Sequence, residues 1–167
     1  MTFNIRDAST PVYKRGLRTL LTLLDRAETH AQANGVDINT LLGAKLAPDM
    51  FDFKKQVQIA TDHAKGGAAR LAGLEPPTFL DQETTIAELR IRVQAILDYV
   101  DGIEEKLYAG AEDRDIRLVY PWATYEFKGA KFLTYWSLPN FFFHLTTAYD
   151  ILRAQGVPIG KADFLGK

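Results

Sequence analysis

Ile86, Leu89, Val93, Ile96, Val100, Ile103 and Leu107 recur at steps of three and four. That spacing places seven apolar side chains along one side of an α-helix, and no strand can present them on one face. Thr85 and Glu88 stand immediately before and within the start of the run. They form a capping-box pair, in which each side chain can satisfy the other residue's backbone donor. Arg90, Arg92, Gln94 and Asp98 fall between the apolar positions and are expected on the solvated faces.

Three further segments carry the same period. Ser9-Thr10-Pro11 supplies a hydroxyl cap followed by proline at the first helical position. Tyr13, Leu17, Leu20, Leu24, Ala27 and Ala31 then form a stripe that ends at Asn34-Gly35. After a connector with a helical turn around Ile38 to Leu42, and a restart at Ala47-Pro48-Asp49, a second helix carries Phe53, Val57, Ala60, Ala64, Ala68 and Leu71. Gly66 and Gly67 lie inside it. A glycine inside a helix costs roughly 1 kcal/mol relative to alanine, so the pair calls for a reason, either close packing or a ligand over that face. A last helix is expected over Lys131 to Gln155, with Phe141, Leu145, Ala148 and Leu152 inward and Gly156 as its end. Pro139 removes one of its hydrogen bonds, which predicts a kink or interruption near Trp136 to Leu138. Phe141-Phe142-Phe143 covers most of the helix circumference, so this helix is central or one phenylalanine enters a subunit contact.

Between the third and last helices the period changes to two. Ile116, Leu118 and Tyr120 alternate with Arg117 and Val119, and Tyr125 and Phe127 alternate within Thr124 to Lys128. Pro121-Trp122-Ala123 joins the two runs, which predicts a small β-hairpin lying on the helices. Four long helices with short connections predict an all-α, antiparallel up-down four-helix bundle carrying that hairpin. No repeat or linker divides the chain, so residues 1–167 are expected to be a single domain. The tail from Val157 to Gly166 is apolar enough to pack on the body or on a second subunit.

Charge and composition narrow the function classes. Lys and Arg number 20 against 21 Asp and Glu, so no basic footprint for nucleic acid or an anionic membrane is visible. The absence of cysteine removes disulfides, thiolate metal sites and cysteine nucleophiles. The N-terminal Met1 to Asp7 has no apolar signal core, and no stretch reaches the ~18 apolar residues of a membrane span. A cytoplasmic location is the corresponding expectation.

The polar residues that interrupt the stripes are the candidate site. Gln56, Ala60, His63 and Gly67 share one edge of the second helix; Ser137, Asn140, His144, Thr147 and Ile151 share one edge of the last. Facing helices of a bundle build metal and cofactor sites from such edges. Two histidines are fewer than the three protein ligands of a catalytic zinc site, and Gln56, Asp62 or Tyr149 would have to complete it. Asp62 is expected to point away from His63. His30 is expected to be a helix-end residue favourably placed on the helix dipole. No G-x-S-x-G elbow or phosphate-binding glycine loop is present.

Leu46-Ala47-Pro48-Asp49-Met50-Phe51, Gln56-Val57-Gln58-Ile59-Ala60, Leu138-Pro139-Asn140-Phe141-Phe142-Phe143-His144 with Ala148-Tyr149-Asp150-Ile151-Leu152-Arg153, and the closing Gly156 to Lys161 with Asp163 to Gly166 resemble a bacterial family of unknown function within the DinB/YfiT-like superfamily. The resemblance implies an antiparallel four-helix bundle, often dimeric. Metal-binding members of that superfamily use one histidine from the second helix and a His-x-x-x-His pair on the last, and some are metal-dependent thiol transferases or hydrolases. Here the pair reads Asn140-x-x-x-His144, and the second-helix slot falls on Gln56 or Gln58, with His63 two turns further on. The expectation is therefore a metal-free homodimer without catalysis. Its small polar pocket would be lined by Gln56, His63, Asn140 and His144 with Trp136 and Tyr149. The alternative is a metal-dependent enzyme in which His63 and His144 hold a divalent ion such as zinc or nickel, with Gln56 or Asn140 completing the shell.

Overall fold

The computed structural model describes residues 4–167; Met1 to Phe3, the start of the N-terminus read above, lie outside the described residues. Four long helices are present: α1 (Ile5–Asn34), α3 (Phe53–Leu71), α4 (Ile86–Gly102) and α6 (Leu138–Ala154). Short helices α2 (Ile38–Leu42), α5 (Gly129–Lys131) and α7 (Lys161–Leu165), a 3₁₀ turn (Glu105–Tyr108) and an antiparallel hairpin of β1 (Asp115–Tyr120) and β2 (Ala123–Lys128) complete the chain. α1 and α3 touch each other and both remaining long helices, so α4 and α6 occupy opposite corners of the helical body. Among the described residues no helix is long and apolar enough to cross a membrane.

The apolar stripes meet in one core. Tyr13, Leu17, Leu20, Leu24 and Ala27 of α1 are fully buried, as are Phe53, Val57, Ala60, Ala64, Ala68 and Leu71 of α3. Leu89, Val93, Ile96 and Val100 of α4, and Phe141, Ala148 and Leu152 of α6, close the same cluster. Of the three consecutive phenylalanines, Phe141 fills the core, Phe142 is half-buried and Phe143 is exposed. The Thr85–Glu88 capping box forms as expected.

Three expectations are corrected. α1 begins at Ile5, capped by Asn4, whose side chain accepts the Asp7 N–H at 3.0 Å. Ser9 instead donates to the Ile5 carbonyl, and Thr10 reaches the Tyr108 hydroxyl at 3.2 Å. Pro11 lies in the second turn of α1, inside the helix, where it removes one backbone hydrogen bond. α4 ends at Gly102, and the apolar spacing continues past it because Ile103 and Leu107 pack from the following turn. Arg92 is not on a solvated face but buried, 2 % exposed, for reasons given below.

The final helix is interrupted where Pro139 predicts it: the path is helical from Gly129, but Phe132–Ser137 is a π-helical segment, and α geometry starts again at Leu138. In α geometry the Pro139 ring would collide with the Tyr135 carbonyl four residues back. The turn before it widens instead, and the Leu138 N–H donates to the Leu133 carbonyl five residues back. Asn140 Nδ2 donates to the Trp136 carbonyl at 2.7 Å, covering an acceptor within this irregular turn.

The hairpin lies on that widened turn. Ile116 pairs with Phe127 and Leu118 with Tyr125. Trp136 receives Tyr125, Phe127 and Tyr120 at ring separations of 4.7, 5.8 and 6.1 Å. The tail packs on the body: Val157 and Ile159 are buried, Thr19 Oγ1 donates to the Phe164 carbonyl, and Arg26 pairs with Asp163.

The adjacent glycines of α3 have different reasons. The Tyr13 hydroxyl and Ser137 Oγ share a buried 2.6 Å hydrogen bond directly over Gly67, where a methyl group would overlap both oxygens. Over Gly66 a methyl would meet only the end of the flexible Arg70 side chain. Gly67→Ala should therefore lower stability by about 1–3 kcal/mol, whereas Gly66→Ala should leave it unchanged or raised. Urea unfolding of the two variants measures the contrast.

Candidate functional site

α3 has two polar edges, and they face different partners. Gln58 turns toward the linker between α3 and α4, donating to Glu83 at 2.8 Å. Gln56 turns toward α6, where its Oε1 lies 2.7 Å from His144 Nδ1. The Gln56 amide also donates through Nε2 to the Phe51 carbonyl at 3.2 Å, which leaves Oε1 for the histidine. His144 Nδ1 therefore carries the proton, and its Nε2 has the free lone pair. Two turns along α3, His63 stacks on His144 with the ring planes 11° apart and the centroids 5.7 Å apart.

Both imidazoles are neutral at physiological pH. Burial pushes His63 down to about 4, helped by the neighbouring His144 and the positive charge of Arg70. Burial alone pushes His144 down to about 4. His63 makes no hydrogen bond to another described residue.

Beside His63 opens a cleft of about 490 Å³. Its floor is α3, from Ile59 through Asp62, Lys65 and Gly66 to Arg70. One wall is the α3–α4 linker, Glu75 to Phe79; the other is Leu118 and Tyr120 of β1 with Phe132, Trp136 and Ser137 of the π-helical segment. Asp62 does point away from His63: it accepts from Lys65 Nζ at 2.8 Å and from Arg92 Nη2 at 2.9 Å.

The structure thus brings together His63 and Trp136 in the cleft and joins Gln56 and His144 to its histidine end. Asn140 is turned back on the Trp136 carbonyl. Tyr149 is elsewhere, edge-on against Phe164 of α7 at 5.7 Å. His30, at the end of α1, faces Asn34. Sequence reasoning missed Lys65, Arg70, Phe79 and Tyr120. Arg70 alone had a signal, because the edge Gln56, Ala60, His63, Gly67 reaches it at the next step of three. The others depend on where the linker and hairpin fold, which helical periodicity does not contain.

A model of the domain of unknown function DUF1993 matches residues 5–165. The chain belongs to this family. A crystal structure of a DinB family member from Shewanella denitrificans is 40% identical, with a TM-score of 0.90 over 98% of this chain and 92% of that one. No curated protein matches. The family of unknown function and the DinB-like relationship read from the sequence are thus established, as is a mostly helical fold with a small hairpin.

The metal that the DinB resemblance implies does not fit these side chains as placed. Among the described residues no three His, Asp or Glu side chains come together as a ligand group. Nearly parallel stacked imidazoles direct their in-plane lone pairs side by side rather than toward a common ion. The Gln56 amide oxygen, the atom that would ligate, is taken by His144 Nδ1 at 2.7 Å.

Histidines held neutral in the folded state make stability depend on pH. Their folded values lie below the ordinary 6.5, so an unfolded chain takes up protons first as pH falls. Their contribution is complete above about 6.5 and is lost progressively down to about 4. Tm should fall between pH 7 and pH 4.5, and His63→Gln should flatten that part of the profile. Calorimetric scans of both proteins at matched ionic strength test this.

Proposed function

We propose that this DUF1993 chain is a non-catalytic, metal-free small-molecule-binding protein. In this reading residues 1–167 form one domain, an antiparallel up-down four-helix bundle serving as a rigid frame. The observation that carries it is the cleft at His63, which has the form of a ligand site: aromatic walls from Phe79, Tyr120 and Trp136 around a few placed polar groups. The pocket of this reading is displaced from the Gln56–His144 pair toward Arg70, while Gln56 and His144 support His63 from behind. A cytoplasmic homodimer without nucleic-acid partners belongs to the same reading. Phe143, 57% exposed beside the buried Phe141, supports a contact between copies; sedimentation of micromolar protein as monomer alone would remove that part.

The second reading is a metal-dependent thiol transferase or hydrolase using His63 and His144. It is supported by two adjacent imidazoles that are unprotonated at neutral pH and therefore available as ligands. Elemental analysis of untagged protein, before and after incubation with excess zinc, nickel and manganese, separates the two. The expected result is no stoichiometric metal and a Tm unchanged by chelator. Near-stoichiometric metal that disappears in His63→Ala and His144→Ala would replace the binding reading with the enzyme.

A further inference from the structure

Arg70 lies at the end of the cleft with its guanidinium over Gly66, the Cβ-free position that lets the side chain rest on the helix surface. Among the described residues it forms no ion pair and no side-chain hydrogen bond. The other cations near the cleft are engaged: Lys65 pairs with Asp62, Arg92 with Asp62, Asp81 and Glu83, and Arg117 with Glu126, while Arg114 donates to the Leu71, Leu107 and Ala109 carbonyls. Glu75 is the remaining unpaired charge of the lining, and it stands at the exposed rim, where water screens it. The cleft therefore presents one available positive charge, flanked by aromatic and apolar surface.

We propose that the cleft binds a planar aromatic monocarboxylate, its carboxylate on the Arg70 guanidinium and its ring between Phe79 and the Tyr120–Trp136 wall. This rests on the reading of the cleft as a ligand site. A guanidinium presents two parallel N–H donors that match the two oxygens of one carboxylate. A single free cation suits a single negative charge; a phosphate dianion would need a second donor cation, and Lys65 is already bound. The aromatic walls supply stacking surface for the remainder, and about 490 Å³ accommodates one or two fused rings. His63, neutral and without a protein partner, offers a hydrogen bond to a polar substituent on the ring.

The test uses the full chain and three matched probes: 2-naphthoate, neutral 2-naphthamide and cationic 2-naphthylmethylammonium. Affinity is measured by titration calorimetry, and location by the NMR shifts of the Trp136 and exposed Trp122 indole N–H groups. Naphthoate should bind about tenfold or more tighter than the amide, the ammonium weakest, with Trp136 shifting more than Trp122, which meets the wall only through its stack on Tyr120. Arg70→Gln should erase the preference for naphthoate over the amide. Because Arg70 has no partner to lose, that variant should fold normally. Gly66→Ala, which pushes the guanidinium aside, should narrow the preference without unfolding the chain. If the wild-type protein binds amide and carboxylate equally at Trp136, the cleft stands as a ligand site and the carboxylate assignment falls. If naphthoate binds without moving Trp136, the assignment also falls. If no probe binds at millimolar concentration, both the assignment and the binding function are overturned.

Discussion

Arg92 is the interaction on which the functional end of the molecule depends. A guanidinium with a side chain 1% exposed is costly to bury unless its donors are satisfied. Here Nε donates to Thr61 Oγ1 at 2.8 Å, Nη2 to Asp62, and Nη1 faces Asp81, Glu83 and the Leu80 carbonyl. Thr61 and Asp62 belong to α3, whereas Leu80, Asp81 and Glu83 belong to the linker. One side chain from α4 therefore fastens two other segments. Lys55 on Asp81, Lys65 on Asp62 and Gln58 on Glu83 extend the network. Three cations and three carboxylates leave it neutral. Such a network is a weak source of net stability, but it strongly constrains geometry, because carboxylates that move away leave the buried Arg92 charge uncompensated.

That constraint matters because the linker between α3 and α4 has almost no regular structure of its own. Loops of this length in compact proteins are held by something or are mobile. Its Pro76-Pro77 step limits backbone freedom, and the Arg92 network fixes the residues that follow. Phe79 lies near both Lys65 Nζ, at 5.1 Å from its ring, and the Arg92 guanidinium, at 5.8 Å. The aromatic wall of the cleft is thus positioned by cations whose charges are neutralised elsewhere. The opposite wall has an independent support: the π-helical turn imposed by Pro139 carries Trp136, which seats the hairpin, and Ser137, which meets Tyr13 over Gly67. The two walls rest on different interactions, each anchored on α3.

The division between what the sequence discloses and what it does not follows from the range of the interactions. The stripes of α1, α3, α4 and α6 and the alternation of β1 are local patterns, and their predicted inward residues are buried except Leu107 and Tyr120, which are half-buried at the ends of their runs. Asn4 was overlooked as a cap because Ser9-Thr10-Pro11 is a stronger local signal. Those hydroxyls are used instead within the helix and toward Tyr108, 98 residues away from Thr10. Arg92 reads as a surface residue on any helical wheel, since its partners lie 9 to 31 positions distant and become visible only when the linker folds over α4. Tyr149 shares a helix with His144 but points toward the C-terminal helix, a packing contact that spacing alone does not resolve.

The histidine end of the site shows how one substitution pattern changes what a helix pair can do. At Asn140, and at Gln56 or Gln58, where the DinB resemblance implies histidines, stand primary amides, and Asn140 and Gln56 are the pair beside His144. An imidazole offers one lone pair to a metal or a proton. An amide offers a donor and an acceptor together, and both of these amides direct the donor to a backbone carbonyl: Phe51 before α3 and Trp136 in the π-helical turn. Gln56 then directs its acceptor to His144 and fixes that ring's tautomer. The slots have become local fasteners for irregular backbone at two helix starts. A divalent ion would have brought two positive charges to this end of the bundle. Among the described residues, Arg70 is the uncommitted positive charge of the cleft lining, seven residues along α3 from His63, and its field favours the neutral form of that histidine. A ligand carboxylate on Arg70 would cancel that field. It would make His63 easier to protonate, so occupancy of the cleft and the charge of its histidine are linked.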